Sequence, residues 1–455
     1  MDKEKQARLA ELEQFLQAYP DTAYVDGIFI DLCGIVRGKR YPRNQLEKLF
    51  TSGLQIPITV YLLDVVGHNS DPCGRGFSDG DPDGTAVPLP GTLVPTPWSE
   101  QEGAQVLMTL NNPDGSPSMI EPRNVAAGVV ERFAATGLRP VMAFELEFYL
   151  LDRERDASGH PQPARLSTTG ARQQWTQVYG IEELDGHAEF FDDVTAFCKL
   201  QDIPASVATA EFAPGQYEIN LHHIDSPLQA ADHCALLRNV VRRTARKHGM
   251  DATFMSKPFL DLTGNGMHVH LSLLDTGGNN IFDDGSESGS GKLKHVIGGM
   301  LETWPDAMAL FAPHVNAFRR FGPNKFVPVS RSWAVNNRSV ACRIPVGDGA
   351  ARRVEHRIAG ADANPYLVLA AVLIGVQHGL TRQLDPGAPS DGNACAEVDA
   401  DMPLNWRDAL GRFRQSTLMR SYLGDEYVEL YYHTKLGEMN QFEQYISPRE
   451  LDWYL

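Results

Sequence analysis

The spacing of apolar residues changes period along the chain. Leu9, Leu12, Phe15 and Leu16 recur at helical spacing between charged neighbours, which predicts an amphipathic helix over 6–18. Two short apolar runs, 24–32 and 35–40, flank a turn at Gly34 and predict a hairpin. Residues 105–110 read as a further strand. Residues 67–96 are rich in Gly, Pro and Asp and read as irregular loop, too long for a plain connector and so expected to be functional. Turn chemistry throughout 111–117 places an expected boundary there. It divides the chain into a small β-rich domain, 1–116, and one large domain, 117–455. The large domain opens with a helix from Glu121-Pro122-Arg123 to about 136. Strands then alternate with helices to the end, an α+β pattern. Residues 276–291 and 385–404 read as surface loops.

Composition removes several classes of function. The hydrophobic share is 42% and the charged share 22%, ordinary values for a globular chain. The longest nearly unbroken apolar run, 366–376, is too short to span a bilayer. The N-terminus leads into no apolar segment of the kind that directs secretion, so a cytoplasmic protein is expected, with no membrane partner. A formal net charge of −17 disfavours nucleic acid as a partner. The six cysteines form no CxxC pair and are expected to be free thiols.

Four segments carry chemistry. In the strand 141–150, Glu145 and Glu147 share one face and Phe144, Leu146 and Phe148 the other. The two carboxylates lie about 7 Å apart along the strand. Alone, they are a solvated strand face more often than hard oxygen ligands for Mg²⁺ or Mn²⁺. In 211–221, Pro214-Gly215 forces a turn that can bring Glu211 and Glu218 together, or simply leaves two incidental acids on a hairpin. In 263–272, His268, His270 and Ser272 face one way behind glycines that permit close backbone approach. In 336–358, five arginines fall within twenty residues, with Arg353, Glu355 and Arg357 on one strand face. The guanidinium fork suits phosphate and carboxylate. Carboxylates faced by arginines are what phosphoryl transfer from ATP requires, and no Walker A sequence is present.

Six motifs in order then resemble glutamine synthetase: Glu145-x-Glu147-Phe148, Glu211-(x)6-Glu218 around Pro214-Gly215-Gln216, Gly264-x-Gly266-Met267-His268-x-His270-x-Ser272, Asn337-Arg338-Ser339-x-x-x-Arg343-Ile344-Pro345, Arg352-Arg353-x-Glu355-x-Arg357, and Ala363-Asn364-Pro365-Tyr366-Leu367. The resemblance spans nearly the whole chain. It implies an N-terminal β-grasp-like domain and a catalytic domain with a curved antiparallel sheet. It also implies a homo-oligomer, a dodecamer of two stacked hexameric rings, with each site between neighbouring subunits. Carried over by motif, Glu147, Glu211 and Glu218 resemble the ligands of a first metal. Glu145, His268 and Glu355 resemble those of a second, two or three Mg²⁺ or Mn²⁺ ions in all. Gly264, Arg320 and Arg357 would hold glutamate, and Arg338 and Arg343 the phosphoryl group in transfer. Arg353, Ser272 and His270 would belong to the ATP site, with His223 where the family often stacks an aromatic on adenine.

The departures concern the nitrogen. Glutamine synthetase proper carries a glutamate on the flap after Val-Asn-x-x-x-Arg, which helps deprotonate ammonium. Here Val315-Asn316-Ala317-Phe318-Arg319-Arg320 is followed by Phe326 at that position. The family's Asp-Gly-Ser-Ser segment becomes Asp64-Val65-Val66-Gly67, which keeps only the Asp as base or relay. The changes resemble the γ-glutamylpolyamine and γ-glutamyl-monoamine synthetases, which imply glutamate, ATP and an organic amine as substrates. A glutamine synthetase using ammonia, and an inactive structural or regulatory homologue, are the alternatives. An inactive homologue would be expected to lose metal ligands, and all six positions are filled.

Overall fold

The computed structural model of the chain describes residues 3–175 and 177–455. The first amphipathic pattern forms a helix, Lys3–Ala18, that buries Leu12 and Phe15. The hairpin forms as β1 (Tyr24–Ile30) and β2 (Val36–Pro42), antiparallel. Gly34 turns it at φ +74°, a left-handed conformation that glycine adopts without steric cost. With β3 (Leu54–Pro57), β4 (Asp83–Pro88), β5 (Val94–Pro95) and β6 (Gly103–Asn111) it makes one sheet, ordered β2-β1-β6-β4-β3, with β5 on β6. The segment 67–96 is therefore not wholly irregular. Its later half supplies β4 and β5, and the alternating burial of β4 is short and interrupted by glycine and proline, which hides it in composition.

The second sheet holds β7 (Arg139–Leu151), β8 (Ala205–Ala210), β9 (Gln216–Leu221), β10 (Asp251–Thr253), β11 (Met267–Leu274), β12 (Trp333–Val335), β13 (Cys342–Ile344) and β14 (Val354–His356). Its order is β12-β13-β14-β11-β7-β9-β8, with β10 on β7. Every named pairing in it is antiparallel except the edge pair β12–β13, which is parallel, so the sheet is mixed. Strands do not alternate with helices to the end of the chain. After β14 the described elements are all helical, from Pro365–Arg382 to Pro448–Tyr454. The reason is periodicity: Tyr427, Val428, Leu430, Tyr431, Thr434, Lys435 and Glu438 are buried along one face of the helix Asp425–Glu443.

The apolar run at 366–376 is the buried N-terminal part of the helix Pro365–Arg382. Asn364 caps this helix, accepting from the Tyr366 and Leu367 amides, while its Nδ2 donates to the Asp31 carbonyl at 2.8 Å. The buried Arg238 donates to the Gly34 carbonyl at 3.2 Å. These bonds tie the hairpin turn to the helices Pro365–Arg382 and Pro227–Lys247, and one contiguous apolar cluster runs from Val25 and Phe29 through Phe144 and Leu271 to Val372. The six cysteines are free thiols, four of them buried. Among the described residues no helix is long and apolar enough to cross a membrane.

Candidate active site

The polar face of the second sheet is assembled by register. Strand alternation sends Phe144, Leu146 and Phe148 into the core and leaves Glu145 and Glu147 on the opposite face. Across the ladder Glu147 lies opposite Glu218, Glu145 opposite His268, His270 opposite Glu355, and Glu355 opposite Arg343. Directly paired residues hold their Cβ atoms about 5 Å apart, so the register alone gathers these groups. Candidate ligand atoms of Glu145, His268 and Glu355 lie within 4.8 Å of one another, and so do those of Glu147, Glu218 and His268. Glu211 lines the same cleft, beside Glu147.

The electrostatics fit a cation there. Burial, and then repulsion from Glu145, Glu147 and Glu211, push Glu218 up to about 9. Burial and Glu147 push Glu211 up to about 8. Burial also raises Glu147, although the Gly266 amide donates to it at 2.7 Å. Burial opposes ionisation of Glu145 too, but His270, bonded at 2.6 Å, outweighs it and holds the carboxyl near about 2. Burial and Arg357 depress His268 to about 3, which leaves a neutral imidazole with a lone pair to offer. Clustered carboxylates with one neutral imidazole are a donor set for Mg²⁺ or Mn²⁺.

A pH dependence follows. Folding favours the protonated Glu211 and Glu218, so the metal-free protein should lose stability as pH rises from the ordinary carboxyl range through 8 to 9. A divalent ion binds the deprotonated groups, so its binding near neutrality should release about two protons. Titration calorimetry in buffers of different ionisation enthalpy measures that release. Equal affinity at pH 6 and pH 9 would count against this cluster as the metal site.

Arginines form the other wall of a cleft of about 470 Å³, lined by Arg320, Arg338, Arg343, Arg353 and Arg357 with Gly264, His268, His270 and Phe326. Glu355 is fully buried between two of them, accepting from Arg343 at 2.8 Å and from Arg357. Arg320 anchors to the Ile358 carbonyl at 3.0 Å. A Cβ on Gly264 would stand 2.6 Å from the Ser256 carbonyl and 2.8 Å from Arg320 Cγ, so only glycine lets that arginine lie against the backbone. Arg353 donates to His270 at 3.1 Å, and His223 sets its ring edge-on to His270 at 5.7 Å. Ser272 is buried further along β11 and does not line the cleft.

Besides the buried Glu355, three predicted positions lie outside the lining of the cleft: Ser272, His223 and Asp64. Asp64 is buried, accepts from the Val66 and His68 amides at 3.0 and 2.8 Å, and lies outside its own chain's cleft. Phe326 does line the cleft, at φ +53° in a segment where Asn324 is also left-handed. Several lining residues escaped the motif reading: Tyr179, Thr209, Phe212, Asn220 and Lys325. Phe212 was the most findable, since it directly follows Glu211 and is an aromatic at an exposed turn.

Residues 119–454 match the family model described as glutamine synthetase, catalytic domain. The chain belongs to the glutamine synthetase family. Relatives within the glutamine synthetase family include gamma-glutamylputrescine synthetase PuuA of Escherichia coli, 43% identical over 98% of this chain and 94% of the relative. The glutamate–isopropylamine ligase of a Pseudomonas species is 31% identical, covering 100% of this chain and 99% of its own. The solved structure titled "GmaS/ADP complex-Conformation 1" superposes with a TM-score of 0.82 at 26% identity, covering 96% of this chain and 98% of that one. Enzymes of the glutamine synthetase family use ATP and divalent metal ions.

Proposed function

We propose that this chain is an ATP-dependent ligase that joins the γ-carboxylate of glutamate to an organic amine. One observation carries the reading. Carboxylates and arginines suited to phosphoryl transfer converge on one cleft with Phe326 in its lining, and a phenyl ring cannot serve ammonium as a carboxylate would. Arg320, Arg357 and the backbone at Gly264 hold glutamate with its γ-carboxylate turned towards ATP. His270 and Arg353 form the ATP side of the cleft, with His223 set against His270 behind them. The carboxylate oxygen attacks the γ-phosphorus, ADP leaves, and the product is γ-glutamyl phosphate. Arg338 and Arg343 balance the charge spread over the transferring oxygens. The amine nitrogen then attacks the acyl carbon, expels phosphate, and gives up its proton to Asp64 as base or relay. Two or three Mg²⁺ or Mn²⁺ ions, held by Glu147, Glu211 and Glu218 and by Glu145, His268 and Glu355, would supply neutralisation of the phosphate charge.

The test is ADP release with fixed glutamate and ATP and either ammonia or a primary amine: putrescine, n-butylamine, isopropylamine or benzylamine. An amine should give a kcat/KM well above that of ammonia. If ammonia gives the highest value, the chain is a glutamine synthetase in activity.

We propose that Asp64, which lies outside its own chain's cleft, completes the site of a neighbouring copy in a dodecamer of two stacked hexameric rings. The active species in light scattering should then be an oligomer, and an active monomer overturns this. We place the division into an N-terminal β-grasp-like unit and a catalytic unit at residue 116, between the two sheets. Six free thiols fit a reducing compartment, and we place the enzyme in the cytoplasm.

A further inference from the structure

Phe212 and Phe326 come from distant parts of the chain and meet at the rim of the cleft. Their ring centroids are 6.3 Å apart and their planes 14° from parallel. Both rings are largely open to water, Phe212 at 58% and Phe326 at 66%. Large aromatic side chains left this exposed on the rim of a charged cleft mark a surface built to be covered. The flap is held in place: φ is +58° at Asn324 and +53° at Phe326, a conformation that a phenylalanine enters only when its surroundings impose it. Phe212 sits in the bend between Glu211 and the buried Ala213.

We propose that Phe212 and Phe326 together form the face that binds the hydrocarbon chain of the amine, with Phe212 as a specificity-determining residue. This rests on the reading of the enzyme as a glutamate–amine ligase. At 6.3 Å the rings leave no room for a methylene chain between them, so the chain lies along their exposed faces. Apolar contact spread over two rings 6.3 Å apart is covered by an unbranched chain of several methylenes and not by a short branched amine. The pair offers ammonia nothing beyond the ring quadrupole. The substrate class is thus a primary amine with an unbranched chain of several methylenes, a chemistry common to n-butylamine and putrescine.

Steady-state kinetics on the full-length oligomer test this with Phe212→Ala and Phe212→Tyr. The reference amine is whichever of n-butylamine and putrescine the wild type uses better. In Phe212→Ala its KM should rise about tenfold, the loss expected from uncovering part of an alkyl chain. KM for ATP and for glutamate should stay within about twofold, and Phe212→Tyr should restore most of the amine KM. An amine KM within twofold of wild type in Phe212→Ala overturns the proposal while leaving the ligase reading intact. So does wild-type preference for isopropylamine over both unbranched amines. If the wild type turns over no amine faster than ammonia, the ligase reading fails first and this proposal falls with it.

Discussion

Glu147→Ala and His268→Ala should each abolish ADP formation dependent on a divalent metal, while the protein stays folded. His268 is within reach of both clusters, and Glu147 faces Glu218 directly across the ladder. Losing a group that merely supports a metal ligand costs ~10- to 100-fold. Losing a ligand from either cluster should exceed that, because the carboxylates left behind repel one another without a full cation shell. Stability should move the other way in the metal-free state. Glu147 raises the proton affinity of both Glu211 and Glu218, so its removal relieves repulsion. Thermal unfolding of metal-free Glu147→Ala should therefore lie at or above that of the wild type, even as turnover disappears. Wild-type-like turnover in either variant would remove these residues from the metal site.

Phe326→Glu should turn the enzyme towards ammonia. Phe326 cannot accept a proton, so the flap gives no help in converting ammonium to the free base at neutral pH. A carboxylate there restores an acceptor and an anionic partner for ammonium. It also removes an apolar surface from the amine side: uncovering ~60 Å² of alkyl contact at ~25 cal/mol per Å² is ~1.5 kcal/mol, or about tenfold in affinity. Both changes move the ratio of kcat/KM values for ammonia over n-butylamine in the same direction, so a rise of more than about tenfold is expected. Asp64→Ala should lower both rates, since Asp64 serves either nucleophile. A ratio that stays put in Phe326→Glu would show that the flap side chain does not choose the nitrogen.

Much of the fold was legible because its signals are local. The hairpin at Gly34, the helix opening at Pro122, and the strands around Glu145 and His268 all announce themselves by period and by turn residues. The strand Asp83–Pro88 did not, since glycine and proline within it imitate loop composition while pairing with β3 and β6 supplies its order. The helical end of the chain was misread for a related reason. Its apolar residues are interleaved with polar ones such as Lys435 and Glu438, which are buried as a pair 2.9 Å apart, with Lys435 also donating to Cys33.

The amino-acid sequence by itself determined which of its candidate residues share a strand face. Alternation in β7 and β11 puts Glu145 with Glu147 and His268 with His270 on shared faces whatever the strands pair with, because side-chain direction in a strand is set by the backbone of that strand alone. Only the tertiary structure decided which groups meet. Strand register brings Glu147 to Glu218 and Glu355 to Arg343, and a slip of one residue would reverse every face, so the pairing depends on the packing of the whole sheet. Tertiary structure also groups His268 with both carboxylate clusters, leaves Asp64 outside its own chain's cleft, and stacks Phe212 on Phe326. Those are contacts between residues distant in sequence, and such contacts exist only once burial of the common core has repaid the entropy of bringing the segments together.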